Sequence, residues 1–319
     1  MMQIETFELK NKFKDKIEIL NYGARIYKWS INTKENFREI ILRYPQPNDY
    51  INDPFYLGAI VGPYANRIAH SRVYLNKKNI FLQPNEGENH LHGGNNSLSE
   101  MPWNCIEYNE DSLKLSCNFQ DGFNGYPGKM RFEVLYKMTS KRDLDISINV
   151  TSEKTTIAGP SSHPYFNLNY DSLENKHFLK LNTKYFTPKN RVGIPNGEII
   201  SNDQNTSFNF SETTVIDNSI NLDDNFLFTK EDTTLRDETS KIGSLVSHDK
   251  KIKLEVESNY PAIQVYTGQY LKEPFHPKQA VCLEPQFCPN SPNIKSFPYH
   301  NTKPELPLQT RIIYRISEI

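Results

Sequence analysis

The chain of 319 residues carries 37 Lys and Arg against 38 Asp and Glu, a net charge of −1. That balance excludes the basic surplus that attracts nucleic acid or an anionic membrane, and leaves a neutral small molecule or a protein as the partner. Four cysteines (Cys105, Cys117, Cys282, Cys288) with no CxxC make a poor disulfide framework for this length and fit a reducing, cytoplasmic setting.

The opening MMQIETFELKNKFKDK is charged and lacks the apolar centre of a signal peptide. The longest apolar stretch, around 57–62, is too short to span a bilayer. In GPYANRIAHSR, Arg67 follows Asn66 between apolar neighbours, and an arginine so placed needs a carboxylate or a polar ligand. In NEGENHLHGGNNS, His90 and His92 share a face if the segment is a strand, and Gly93-Gly94 admit a backbone or a ligand at close range. HxH also suits a metal, but a cupin-type site needs a glutamate shortly after the second histidine and a glycine six residues before the first. Here Gly93 to Ser97 and Pro84 stand at those positions, and no metal is expected.

RFEVLYKM alternates at Phe132, Val134, Tyr136 and Met138. After a four-residue polar loop, DLDISINVT alternates at Leu144, Ile146, Ile148 and Val150, which predicts an antiparallel hairpin with one buried face. His163 lies among Pro164, Tyr165 and Phe166 in GPSSHPYFNL. The polar segment at 200–222 reads as a long surface excursion, and LDDNFLF then sets Asp223 and Asp224 before an apolar run. KIKLEVE repeats the strand period at Ile252, Leu254 and Val256, as RIIYRISEI does at Ile312, Tyr314 and Ile316. In AVCLEPQFCPNSPN, Glu284 follows four apolar residues and precedes a proline. That predicts a partly desolvated carboxyl at the end of a buried strand, with its pKa pushed upward. No helical stripe of a dozen residues is visible, and twenty prolines suit turns between strands. The expectation is all-β: one large antiparallel sandwich of two sheets, a single domain over 1–319.

In this order ANRI, NHLHGG, HPYFNL, DDNF, YPAIQVYTG and CLEPQ…PNSPN resemble the aldose 1-epimerase (galactose mutarotase) family over nearly the whole chain. The resemblance implies the galactose mutarotase-like supersandwich and interconversion of the α and β anomers of free aldohexoses such as glucose and galactose. It implies Glu284 as general base, His163 as general acid and His92 as a second active-site histidine near the ring oxygen. Arg67, Asp223 and Gln264 would hold sugar hydroxyls, supported by Asn66, with no cofactor or metal. The partner is then a small aldohexose, with neither nucleic acid nor membrane, acting on a monomer or homodimer. Three positions depart from the family pattern: Gly62-Pro63 in the first motif, Ser162 before His163, and Asp224 where a histidine often follows the sugar-binding aspartate.

Anomer exchange needs the C1 hydroxyl to lose a proton while the ring oxygen gains one, which a carboxylate and an imidazolium supply. An ordinary histidine pKa near 6.5 suits the acid role, and Arg67 paired with Asp223, plus aromatic faces such as Tyr165 or Phe226, would recognise a neutral sugar. Three rivals stay open on the residues: a hexose-6-phosphate 1-epimerase, a non-catalytic sugar-binding protein, and a glycosidase using Glu284 and Asp223.

Overall fold

The period-2 segments fold as strands. The computed structural model describes residues 3–169, 176–228, 235 and 238–319. The expected hairpin is Met130–Met138 against Asp143–Ser152. Phe132 lies opposite Val150, Val134 opposite Ile148, Tyr136 opposite Ile146 and Met138 opposite Leu144. All eight side chains are buried, so the alternation read from the sequence is the core face of the pair.

This hairpin is the third and fourth strands of a nine-stranded antiparallel sheet that begins with Asn104–Tyr108 and Ser112–Phe119. Past the hairpin it continues through Leu308–Glu318, Ile252–Ser258, Ser240–Ser247, His177–Leu181 and Thr214–Ile216. A six-stranded antiparallel sheet runs in the order Tyr165–Phe166, Val281–Gln286, Ala262–Tyr266, Asp223–Leu227, Tyr185–Phe186 and Ile200–Ser201. Its apolar face (Phe226, Ile263, Val265, Val281, Leu283) joins the main core with the nine-stranded sheet. The buried Tyr314 hydroxyl, from the larger sheet, donates to the Leu283 carbonyl at 3.0 Å and ties the two layers.

Among the described residues the expected pair of large sheets is joined by a four-stranded sheet and three two-stranded ones. Thr6–Lys10, Lys16–Leu20, Arg25–Asn32 and Phe37–Glu39 form a four-stranded sheet. Its Trp29 packs edge-on against Phe166 and Tyr314 at 6.2 and 6.5 Å. The segment 200–222 is more than a surface excursion. Ile200–Ser201 closes one edge of the six-stranded sheet and Thr214–Ile216 one edge of the nine-stranded sheet, anchored by the buried Phe210 and Ile216. Short strands of this kind blunt a sheet edge against pairing with other chains. Among the described residues no helix is long and apolar enough to cross a membrane.

Candidate active site

The second face of the six-stranded sheet is polar, and an open cleft of about 960 Å³ lies over it. The pairing register puts Asn225, Gln264 and Glu284 side by side in one row, with Asp223, Tyr266 and Cys282 in the next. Each residue alternates with a core residue on its own strand, so the same period that buries Val265 and Leu283 aims Gln264 and Glu284 the other way. Glu284, 2% exposed, stands at the bottom of the cleft. Its Oε2 lies 3.5 Å from Nε2 of His163, itself 5% exposed.

His163 is held by rings. Tyr165 packs at 5.1 Å between centroids, His92 at 5.5 Å and Tyr56 at 6.2 Å, while its Nδ1 lies 3.7 Å from the Cys282 sulfur. His163, Cys282 and Glu284 offer one imidazole, one thiol and one carboxyl atom within 4.8 Å of one another, the group of described residues best placed to hold a metal ion.

His90 and His92 do not share a face. The strand His90–Leu91 ends at once because His92 has φ 49°, which turns its ring into the cleft. His90 stays buried, with Nδ1 2.6 Å from the Gln83 carbonyl and Nε2 2.8 Å from the Tyr126 hydroxyl, so neither nitrogen is free for a ligand. The close approach at Gly93 is to backbone: a Cβ there would meet the Gly62 carbonyl oxygen at 1.9 Å, and φ is +94°. Asn66, at φ 68°, donates its backbone N–H to His92 Nδ1 at 3.1 Å. In neutral His92 that bond puts the ring proton on Nε2.

Arg67 is gripped mainly by a residue the sequence reading missed. Its Nε and Nη2 donate to the two carboxylate oxygens of Glu86 at 2.7 and 2.8 Å, whereas Nη1 is 3.7 Å from Asp223 Oδ2. Asp223 Oδ1 accepts from Gln264 Nε2 at 2.8 Å, so Gln264 lies beneath Asp223 and does not line the cleft itself. Asp224 pairs with Lys189 at 2.9 Å, which balances the charge at the position where the family often has histidine. Phe226 is not a sugar platform. One residue out of phase with Asn225, it is fully buried against Phe208 and Phe210. Nothing in the local pattern distinguishes Glu86 or Lys189 from surface charges, because their partners arrive from other strands and loops.

Residues 5–315 match the family model described as aldose 1-epimerase. The chain belongs to that family. It is 31% identical to an aldose 1-epimerase of Haemophilus influenzae over 304 residues, covering 89% of this chain and 87% of that one. It is 28% identical to the aldose 1-epimerase of Escherichia coli over 310 residues, with 91% and 88% covered. Its fold overlays a crystal structure of an aldose epimerase homologue from C. elegans with a TM-score of 0.91 at 24% identity, over 99% of this chain and 100% of that one.

Burial governs the protons in this cleft. It pushes His163 down to about 4, well below the ordinary imidazole value expected from the sequence. His92 is pushed down strongly by burial and by the neighbouring His163. Glu284 is held well above the usual carboxylate range by burial and then by the charge of Asp223, and Asp223 is raised by burial against the pull of Lys189 and Arg67. A lone charge on either His163 or Glu284 is therefore disfavoured. Imidazole with carboxylic acid and imidazolium with carboxylate contain the same number of protons, and moving one proton interconverts them.

Proposed function

We propose that the protein interconverts the α and β anomers of free aldohexoses, with Glu284 as the base at the C1 hydroxyl and His163 as the acid at the ring oxygen. The observation that carries this reading is the buried His163–Glu284 pair, 3.5 Å apart at the bottom of the cleft. In the imidazolium–carboxylate form, Glu284 accepts the O1 proton as C1=O1 forms and the C1–O5 bond breaks, and His163 donates a proton to O5. The pair is left as carboxylic acid and imidazole, the other neutral form. After C1 turns about the C1–C2 bond, both protons return and the ring closes on the opposite face. No step calls on a metal or a covalent intermediate.

The rest of the cleft fits a neutral polyol. The Nε2–H of His92 is a neutral donor beside the pair. Arg67, tied by Glu86, and Asp223, oriented by Gln264, present a charged donor and acceptor to adjacent hydroxyls. Among the described residues, five carboxyl groups line the cleft (Glu86, Glu88, Asp223, Asp224, Glu284) against three cations (Arg67, Lys189, Arg191), which disfavours a phosphosugar. Polarimetry on freshly dissolved α-D-glucose and α-D-galactose tests the reading. Acceleration that survives a chelator supports it, whereas a rate equal to the uncatalysed one, or one restored only by zinc or manganese, defeats it.

A further inference from the structure

One residue of the cleft wall holds a backbone conformation that its side chain disfavours. Tyr56 lines the cleft with φ 58°, in the left-handed region, where a bulky aromatic persists only if its surroundings over-determine it. Those surroundings include a buried ion pair that the proposed chemistry does not use. Arg25 Nη1 lies 2.6 Å from Asp53 Oδ2, the two residues are 1% and 8% exposed, and neither lines the cleft. Asp53 accepts the backbone N–H of Phe55 at 3.0 Å and that of Leu57 at 2.8 Å, and Arg25 donates to the Leu57 carbonyl at 2.9 Å. Both chain neighbours of Tyr56 are thus fixed from inside the protein. The Gly58 N–H donates to the His163 carbonyl at 3.0 Å, and the Tyr165 hydroxyl donates to the Phe55 carbonyl at 2.9 Å. The segment 53–58 is thereby tied to the stretch that carries His163.

Held in this way, the Tyr56 ring lies 4.7 Å from the His92 ring and 6.2 Å from that of His163, which are themselves 5.5 Å apart. The Asn66 N–H on Nδ1 selects the tautomer of His92, but one hydrogen bond leaves the ring free to rock about it. Rocking brings the imidazole edge against the Tyr56 face. Resting on the function proposed above, we infer that Tyr56 is a positioning residue, whose ring holds His92 and His163 in the orientation in which they meet the sugar. A wall that supplied bulk alone would need neither the strained backbone nor the buried charges that maintain it.

The test compares the wild type with Tyr56→Phe and Tyr56→Leu, which meet the same backbone constraint and differ in the ring. Glucose anomer exchange followed by NMR gives kcat and KM at equal folded concentration. The ring 15N signals of His92 and His163, assigned with His92→Asn and His163→Asn, give the tautomers. Expected for Tyr56→Leu is a kcat about tenfold lower with KM changed less than about twofold, and a His92 ring averaging between two tautomers instead of holding one. Tyr56→Phe should restore both the rate and the wild-type ring signals. Unchanged kcat and ring signals in Tyr56→Leu overturn the positioning role, as does a raised KM at unchanged kcat, which makes Tyr56 a direct sugar contact. A wild type that turns over no hexose overturns the function instead, and the ring signals then decide the role of Tyr56 by themselves.

Discussion

Glu284→Gln keeps the size and hydrogen-bonding capacity of the side chain and removes its ability to accept a proton. The expected outcome is a fall in kcat of at least ~10², with sugar affinity held within about tenfold. NMR saturation transfer between anomers at equal folded concentration checks it, and a variant retaining more than about a tenth of wild-type kcat removes Glu284 from the base role. Arg67→Ala is expected to act on binding, weakening it by ~1.5–3 kcal/mol, since a charged hydrogen-bond donor is lost. Arg67 Nη1 and Asp223 Oδ2 are 3.7 Å apart, so the double variant with Asp223→Ala should lose less than the sum of the single changes. Strict additivity in titrations with a non-reacting sugar analogue would contradict a shared set of hydroxyls.

At the scale of elements, the hairpin 130–152 was legible because its apolar residues alternate without interruption and the loop between is short. The sequence marked His92 and His163, but it could not show that a positive φ at His92 ends the strand and sends the two HxH histidines to different places. Glu86 and Lys189 were invisible for a related reason. Their partners, Arg67 and Asp224, are brought to them by long-range pairing that leaves no local period. The turn at 92–94 carries its own test. Gly93→Ala sets a methyl against the Gly62 carbonyl oxygen in a backbone conformation alanine resists, which should cost at least about 2 kcal/mol and shift the His92 ring. Thermal unfolding reads the first effect and sugar turnover the second; an unchanged melting temperature rules out the close approach.

For the molecule as a whole, the buried histidines set the response to acid. His90 and His163 are held down to about 4 and His177 to about 3, each by burial. Between an unfolded value near 6.5 and these native values, the unfolded chain binds protons that the folded one refuses. Their stabilisation is therefore complete above about pH 6.5 and is lost as the pH falls toward 4, by up to ~1.4 kcal/mol per pH unit for each group. Glu284 and Asp223, shifted upward, act in the opposite sense and offset part of this. Urea unfolding should accordingly show its midpoint dropping between pH 7 and pH 5, and a constant midpoint would mean that the raised carboxyls cancel the imidazoles or that the imidazoles are hydrated in the native state.

The two faces of the six-stranded sheet divide the labour between different side chains. Val265 and Leu283 pack in the core, while one step along the same strands Gln264 supports Asp223 from beneath and Glu284 lines the cleft. Residues that pack the core and residues that face the cleft are thus different side chains, so what the cleft accepts can change while the apolar core residues stay. The same fold accordingly persists, with a TM-score of 0.91, at 24% identity.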